Sequence, residues 1–154
     1  MLNNKYLSLL IIVLITFSAS AIGGVVTSIY KEPWYSQLIR PSFSPPASVF
    51  GPVWTLLYIF MSFAVWLTWV KVFKIQILKI YFLHIFFNAI WSVIFFGFHM
   101  IGLALINLII ILIFIIYLMQ IYFKTNRISF YLMIPYLIWT SYAFILNISI
   151  FLLN

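Results

Sequence analysis

Residues 80–123 read IYFLHIFFNAIWSVIFFGFHMIGLALINLIIILIFIIYLMQIYF, a stretch of 44 residues without a formal charge. As one α-helix this stretch would be about 66 Å long, whereas the hydrocarbon core of a bilayer is about 30 Å thick. It must therefore fold back on itself. The only plausible break is residues 97–102, Gly-Phe-His-Met-Ile-Gly, where two glycines flank a polar ring. We predict two membrane helices around this break, near 77–96 and 101–123.

The rest of the chain has the same wide spacing of charges. Its 154 residues include eight basic and one acidic side chain, and charged types make up 6% of it, against about 25% in a soluble domain. Three further uncharged stretches, 6–30, 41–70 and 128–154, each suit one crossing of about 20 apolar residues. They predict helices near 6–29, 46–70 and 129–152. We expect one all-α membrane domain, residues 1–154, that forms a bundle of five transmembrane helices.

The composition excludes several classes of protein. Hydrophobic types are 67% of the chain, too many for a soluble domain of this length to bury, and disorder would require low hydrophobicity. A membrane β-barrel would need alternating polar and apolar residues, which the run 105–118 lacks. Without cysteine, disulfides and Cys-ligated metals are absent. No metal site or cofactor is predicted, and the scattered basic residues argue against nucleic acid as a partner.

Lysine and arginine in short loops indicate the orientation of a membrane protein. The basic residues divide six against two. One side has Lys5, Lys71, Lys74, Lys79, Lys124 and Arg127, and the other has Lys31 and Arg40. We predict a cytoplasmic N-terminus, with the loop 30–45 on the opposite side. The first segment also resembles a secretory signal with a cleavage site at 19–21, but its apolar run continues beyond Ala21, so we expect a retained helix whose small residues allow close packing.

The loop between the first two helices contains four prolines in 14 residues, at positions 33, 41, 45 and 46. Pro33 suits the first position of a short helix, which Pro41 would end. The residues on one side of this helix are Trp34, Tyr35 and Leu38. Interfacial anchoring is the ordinary explanation of such aromatic residues, and we interpret Trp66 and Trp69 in that way. Because an anchor has no need of stiffness, we predict that residues 30–45 form a structured lid over an opening.

Three helices each carry a stripe of aromatic and polar side chains at helical spacing. The stripes are Phe50, Trp54, Tyr58 and Met61 on the second helix, His84, Phe87, Asn88, Trp91, Ser92 and Phe95 on the third, and Pro135, Tyr136, Trp139, Tyr142, Ala143 and Asn147 on the fifth. Ordinary helix packing, with Asn bonded across helices, explains such stripes. The functional alternative is an aromatic cavity for a flat apolar ligand, oriented by a few polar groups.

Several kinds of chemistry lack the residues that they need. Ion-coupled transport usually relies on acidic or paired basic groups inside the membrane, and none lies in the uncharged stretches. A hydrolase is equally hard to build, because His84 and His99 have no serine nucleophile motif nearby and no acid to orient them. We therefore predict no enzyme of these types.

Five groups of motifs occur in order along nearly the whole chain. They are Gly23-Gly24; Trp34-Tyr35, Leu38, Pro41, Phe43, Pro45-Pro46, Phe50-Gly51-Pro52-Val53-Trp54-Thr55 and Leu57-Tyr58; Asn88-Ala89-Ile90-Trp91-Ser92 and Phe95-Phe96-Gly97; Gly102-Leu103-Ala104; and Pro135-Tyr136-Leu137-Ile138-Trp139 with Leu146-Asn147. Together they resemble the TspO/MBR family of tryptophan-rich sensory proteins and translocator proteins, which includes the peripheral-type benzodiazepine receptor.

The resemblance implies a five-helix bundle, commonly a homodimer, with one ligand pocket beneath the lid. Family members bind porphyrins such as protoporphyrin IX, benzodiazepine-type and isoquinoline carboxamide drugs, and in animals cholesterol. We therefore expect a membrane protein that binds porphyrins or similar planar hydrophobic ligands, in tetrapyrrole transport, sensing or regulation. The implied ligand-binding residues are Trp34, Tyr35, Ser44, Phe50, Trp54, Tyr58, Asn88, Trp91, Leu103, Asn107, Trp139, Ala143 and Leu146.

Two alternatives remain beside that expectation. Some bacterial members promote light- and oxygen-dependent porphyrin breakdown, and Trp34 and Trp139 match the tryptophans implicated in it. The other alternative is a structural membrane adaptor, in which the stripes only pack helices.

The chain also departs from the family. Residues 148–154 lack the Tyr and Arg of the animal cholesterol motif, which puts cholesterol in doubt. His84 replaces a common Gln, and it is either an axial ligand for a metalloporphyrin or a hydrogen-bond partner of a neighbouring helix.

Overall fold

The computed structural model describes residues 4–154 of the chain, and these residues form helices joined by short turns. The long helices are α1 (Lys5–Tyr30), α3 (Ala47–Val72), α4 (Ile75–Ser92), α5 (Ile101–Thr125) and α6 (Arg127–Leu153), and a short α2 (Trp34–Gln37) lies in the lid. α4 continues as a π-helical turn, Val93–Gly97. All five long helices are long and apolar enough to cross a membrane. The predicted five-helix class is confirmed, and each predicted helix end lies within two residues of the observed one when the π-helical turn is counted with α4.

The five long helices close into a ring. α1 packs against α3 and α4, α4 packs against α5, α5 against α6, and α6 returns to α3. The turns α3–α4 and α5–α6 lie at the end of the ring where α1 begins, which we call the basic end, and the lid lies at the other. Inside the ring, polar side chains bond across helices, as when Thr16 and Tyr81 hydroxyls meet at 2.7 Å. Apolar side chains such as Leu14 and Ile113 are exposed on the outside, where the lipid of a bilayer would cover them.

Small residues permit close approach at two helix contacts. A Cβ atom on Gly23 of α1 would lie 3.1 Å from the Ser92 hydroxyl of α4, and one on Gly102 would lie 3.1 Å from the Phe151 ring. Small residues in membrane helices commonly serve this purpose. The close packing expected of the first helix therefore rests on Gly23 and the buried Ala19, whereas Ala21 faces outward.

The predicted break at 97–102 is present, but neither of its glycines adopts the left-handed backbone conformation that reverses the chain. The π-helical turn is held by the Phe98 N–H, which donates to the Val93 carbonyl at 2.9 Å, and by the Met100 N–H, which donates to Ile94. His99 then adopts the left-handed conformation, with φ of 57°, whereas neither glycine has a positive φ. Histidine is among the residues enriched in this region, so its backbone reverses the chain.

The lid helix is shorter than predicted. Pro33 is its N-cap rather than its first residue, and the helix ends at Gln37, four residues before Pro41. A tertiary contact explains the early end. The Ile39 N–H donates to Asn154 Oδ1 at 3.0 Å, and Asn154 Nδ2 donates to the Ile39 carbonyl at 3.1 Å. Both backbone groups of Ile39 are thus engaged by the end of α6 and are not used in a helix.

The interpretation of Trp69 as an interfacial anchor is wrong. Its side chain is 5% exposed and packs inside the ring, because Trp69 lies one and two turns beyond the buried Val65 and Met61 on the same face of α3. Trp66 lies near the basic end, where its indole N–H donates to the Lys5 carbonyl at 3.0 Å. The two tryptophans therefore differ in surroundings although both stand close to Lys71.

Candidate ligand-binding site

A group of aromatic rings joins the lid to the end of α4, and Phe95 is at its centre. Trp34 meets Phe95 edge-on at 5.4 Å between ring centroids, while Trp91 stacks on it at 5.0 Å with an angle of 15°. Phe96 and Tyr35 complete the group, at 4.9 and 6.2 Å from Phe95. We call these five residues the lid cluster. Three of them are predicted ligand-binding residues, namely Trp34 and Tyr35 of the lid and Trp91 of α4, and the structure brings them together.

The π-helical turn explains how two consecutive residues both reach the lid. In a regular α-helix, adjacent side chains diverge by about 100°, but a π turn contains one extra residue. Here Trp91 contacts both Phe95 and Phe96, and Tyr35 also contacts both. The motif that ends α4 thus presents a continuous aromatic surface to the lid. This surface was visible in the sequence as a stripe, although Phe95 was not among the predicted ligand-binding residues.

His99 is a neighbour of the site that the sequence did not indicate. Its ring stacks on Trp34, with 4.3 Å between centroids and 17° between planes. Its Nε2 lies 3.5 Å from the Tyr30 carbonyl at the end of α1. Trp34 is therefore held between the edge of Phe95 and the face of His99. The left-handed backbone at His99 turns its ring toward the lid, and no local sequence pattern announces such a conformation.

The second half of the lid is attached to α6. Tyr142 donates its hydroxyl proton to the Phe43 carbonyl at 2.6 Å, and its ring also contacts the Phe43 ring at 6.3 Å. Tyr142 packs in turn against Trp139 at 5.7 Å, and Trp139 against Phe50 at 5.9 Å. Predicted site residues from α3 and α6 therefore lie side by side under the lid.

A hydrogen-bonded network, which we call the polar floor, lies deeper in the ring. Tyr58 donates to Asn88 Oδ1 at 2.5 Å, and Asn88 Nδ2 donates to the Tyr136 hydroxyl at 2.9 Å. The Tyr136 hydroxyl lies 2.8 Å from His84 Nε2, so its own proton is free to donate there. Trp54 packs over both tyrosine rings, at 5.6 and 6.2 Å. All four members of the polar floor are buried.

The polar floor joins three helices, since Tyr58 belongs to α3, Asn88 and His84 to α4, and Tyr136 to α6. The Asn88 amide is already engaged on both of its heavy atoms. Of the two interpretations of His84, the structure favours the hydrogen bond to a neighbouring helix, because its Nε2 contacts Tyr136 and its side chain is fully buried.

Several buried polar atoms lack such partners within the described residues, among them His84 Nδ1 in the floor and others toward the basic end, and one group of them lies closer to the lid. The indole nitrogens of Trp91 and Trp139, and both amide atoms of Asn147, are buried without a hydrogen-bond partner among residues 4–154. Asn147 is 2% exposed. A buried polar group without a partner costs about 1–3 kcal/mol, so such groups are rare. These atoms could bond to polar groups of a ligand. Asn147 was not among the predicted ligand-binding residues, although it shares its helical face with Trp139 and Ala143.

The remaining predicted residues occupy different surroundings. Leu146 is buried beside Phe95, and Ala143 is half-buried on α6. Ser44 donates to the Pro41 carbonyl inside the lid, at 2.8 Å. Asn107 is 4% exposed, and its Nδ2 donates to the Phe87 carbonyl of α4 at 3.0 Å. Leu103 is 45% exposed and faces away from the ring, because its neighbour Ala104 takes the inward position on α5.

Positive charge surrounds the outer side of the lid cluster. The Lys31 ammonium lies 5.6 Å and the Arg40 guanidinium 5.4 Å from the centre of the Tyr35 ring. Lys31 also forms an ion pair with Glu32 at 3.5 Å. Burial raises the pKa of the Tyr35 hydroxyl, and the Arg40 charge opposes that shift. The lid thus places two cations where an aromatic surface meets water.

A groove on the outside of the ring reaches the same region. It lies between α3 and α6, has a volume of about 340 Å³ and is lined by Val53, Leu56, Leu57, Pro135, Ile138 and Trp139. Trp139 therefore borders both the groove and the rings beneath the lid. An apolar molecule dissolved in the bilayer could reach Trp139 through this groove without crossing water.

The fold and the site define a class: integral membrane proteins in which a ring of five helices surrounds a tryptophan-rich site covered by a lid. The sequence model of the TspO/MBR family matches residues 10–153, and the chain belongs to this family. The resemblance seen in the motifs is thereby confirmed.

Individual relatives match shorter stretches. Identity is 35% over 51 residues with a tryptophan-rich protein TspO of Archaeoglobus fulgidus, and the match covers 33% of each chain. It is 47% over 45 residues with a translocator protein homolog of Schizosaccharomyces pombe, covering 29% of this chain and 27% of that one. It is 44% over 39 residues with the translocator protein of Homo sapiens, covering 25% and 23%. The matches thus span about a quarter to a third of these relatives.

Proposed function

We propose that this protein binds a porphyrin, or a similarly flat hydrophobic ligand, beneath its lid, and that it acts in tetrapyrrole transport, sensing or regulation. The observation that carries the proposal is the set of unpartnered buried polar atoms on Trp91, Trp139 and Asn147. They occur beside the aromatic rings under the lid, whereas the tyrosine hydroxyls and the asparagine amide of the floor bond to one another. A ligand with a flat apolar body and a few polar groups suits this arrangement.

The lid cluster offers ring faces to such a ligand. Trp34 rests on Phe95 and His99 in this structure, so a planar molecule that enters from the lid side displaces Trp34 and takes over its contacts. Each aromatic pair contributes about 0.5–1.5 kcal/mol beyond the buried area. Carboxylates at the edge of the ligand would lie near Lys31 and Arg40, where charge-assisted hydrogen bonds are stronger than neutral ones. A porphyrin dicarboxylate has both features.

The proposal includes the assembly and the orientation that the sequence implied. The protein forms a homodimer, and its N-terminus lies in the cytoplasm with the lid on the opposite side. The charge difference between the two ends supports the orientation, since six of the eight basic residues belong to the basic end. Labelling of single cysteines introduced at Lys74 and Ser42 in intact cells tests it. Labelling of Lys74→Cys but not Ser42→Cys from outside would reverse the orientation.

The test of ligand binding is a titration of the purified protein with protoporphyrin IX in the dark, followed by quenching of tryptophan fluorescence. We expect saturable quenching in the wild type. Trp139→Phe keeps an aromatic ring but removes an unpartnered N–H, and it should weaken binding about 5- to 10-fold, the value of one hydrogen bond of about 1–1.5 kcal/mol.

Trp66→Phe is the matched control, because it removes one fluorophore at the basic end, where the indole N–H already has a partner. Its affinity should equal that of the wild type. Absence of saturable quenching in the wild type would contradict porphyrin binding and favour a structural adaptor. An equal loss in both variants would contradict the location of the site.

A second candidate function is oxidative breakdown of the bound porphyrin in light. The family comprises translocator and tryptophan-rich sensory proteins, but one arrangement favours this activity. The Trp139 and Tyr142 rings have centroids 5.7 Å apart, close enough for Tyr142 to return an electron to Trp139 after the tryptophan has been oxidised by the photoexcited porphyrin and oxygen. Illumination of the complex in the presence of oxygen tests it. A porphyrin spectrum that changes in the wild type but not in Trp139→Phe supports breakdown, and an unchanged wild-type spectrum leaves a binding protein.

A further inference from the structure

A second groove lies at the basic end, between α5 and α6, far from the lid. Its volume is about 440 Å³. The α5 wall consists of Ile116, Met119, Phe123 and the polar Gln120. Phe130 and Leu137 of α6 form the other wall, and Lys124 lies at the end. Ile116 and Phe123 are exposed on the outside of the ring. The groove therefore opens toward the acyl chains of the bilayer.

Cations from three helices lie at the basic end around α5, where the groove ends. Lys124 is part of its lining. The Arg127 guanidinium lies 3.5 Å from the centre of the Phe123 ring, which itself lines the groove. The Lys71 ammonium donates to the Thr125 carbonyl at 2.5 Å. The only acidic side chain in the sequence is Glu32, at the lid end, so no carboxylate side chain offsets these charges.

The groove has the depth of one leaflet. From Ile116 to Lys124, α5 advances eight residues, or about 12 Å. Half of the hydrocarbon core of a bilayer is about 15 Å thick. The apolar part of the groove therefore extends inward from the headgroup level, where Lys124 and Arg127 lie, to about the middle of the membrane. This is the shape of a site for a molecule with an anionic head and a hydrocarbon chain.

We propose that the groove binds one anionic phospholipid, with an acyl chain along α5 and α6 and the phosphate against Lys124, Arg127 and Lys71. Basic pockets between transmembrane helices recognise anionic headgroups. A second copy of the chain is the other conceivable occupant. A two-fold contact would place the same cationic surface on both sides, and such like-charge juxtaposition is unfavourable. An anionic lipid complements the positive charge of the groove, whereas a second copy of the chain does not, so we choose the lipid as the occupant.

Native mass spectrometry of the detergent-purified protein tests this site. The protein is equilibrated with phosphatidylglycerol or, separately, with phosphatidylcholine, and the retained lipid is counted. We expect one phosphatidylglycerol per chain and little phosphatidylcholine. Each basic residue near an anionic headgroup is worth about 5-fold in affinity, so Lys124→Gln with Arg127→Gln should lower the affinity about 30-fold. Equal retention of both lipids in the wild type would overturn the proposal.

Lys74→Gln with Lys79→Gln is the matched control, because it removes the same charge at the same end of the bundle, around the start of α4. This variant should keep the lipid. An equal loss in both double variants would show general electrostatic attraction and overturn the site. Ile116→Trp fills the groove at constant charge, and it should release the lipid while the unfolding temperature stays unchanged. Retention of the lipid by that variant, or a wild-type protein that carries no lipid adduct either as a monomer or as a dimer, would also overturn the proposal.

Discussion

The polar floor and the surroundings of the lid cluster both contain buried polar atoms, but these atoms differ in what they contact. In the floor, Tyr58, Asn88 and Tyr136 bond to one another across three helices. Near the lid cluster, the indole nitrogens of Trp91 and Trp139 are buried without partners in the described chain. Satisfied polar groups stabilise one arrangement of helices, whereas unsatisfied ones gain free energy when a ligand supplies the missing bonds. We therefore assign the first region to structure and propose the second as the place of ligand binding.

Removing hydrogen bonds from the polar floor should have the largest effect, a loss of stability. Tyr136→Phe removes the hydroxyl that Asn88 and His84 share and leaves two buried polar atoms without a partner. We expect a loss of about 1–3 kcal/mol in the free energy of unfolding, measured by thermal denaturation in detergent. Protoporphyrin IX affinity of the folded fraction should change by much less. A variant of wild-type stability that fails to bind would make the floor a ligand contact and remove the distinction between the two regions.

Two buried asparagines sharpen the comparison. Asn147→Leu removes an amide with no partner among residues 4–154, so it should keep or raise the unfolding temperature while weakening protoporphyrin IX binding about 5- to 10-fold. Asn107→Leu removes an amide that bonds to the Phe87 carbonyl. It should cost about 1 kcal/mol of stability and leave affinity unchanged. Parallel thermal and fluorescence titrations measure both quantities. The reverse pattern would mean that Asn107 contacts the ligand, as the family resemblance implied, and that Asn147 does not.

The smallest effect concerns the lid rather than the affinity of the site. His99→Ala removes the ring that stacks on Trp34 at 4.3 Å, a contact worth about 0.5–1.5 kcal/mol. Stopped-flow quenching should therefore show protoporphyrin IX binding about 2- to 10-fold faster. Phe98→Ala, at the exposed neighbouring position, should leave the rate unchanged. Equal rates for wild type and His99→Ala would show that the lid does not limit access.

Much of the fold was predictable because membrane crossings are governed by charge and length alone. The 44-residue uncharged stretch required a reversal, and residues 97–102 supplied it. The details of that reversal were not predictable. The π-helical turn and the left-handed His99 depend on what the lid places against them. Trp69 shows the opposite case. We interpreted it as an interfacial anchor, although its helical spacing from Met61 was available in the sequence and places it on the buried face of α3.

The sequence predicted which helix faces form the candidate site, but it did not predict which side chains bond to one another there. Tyr58 and Asn88 are buried in the ring and Trp54 packs against the same core, because helical spacing decides which residues share a face. Leu103 was carried over from the resemblance, yet its side chain is exposed on the outside of α5.

By itself, the sequence of this protein determined the number of crossings, their limits and the family, since these depend on the distribution of apolar and charged residues and on local motifs. Only the tertiary structure decided which polar atoms are satisfied. Asn107 and Asn147 are identical amides in apolar helices, and what separates them is a carbonyl 3.0 Å from the first and no protein partner within residues 4–154 for the second. A hydrogen bond requires two groups to meet, and for groups on different helices the packing of the ring brings them together.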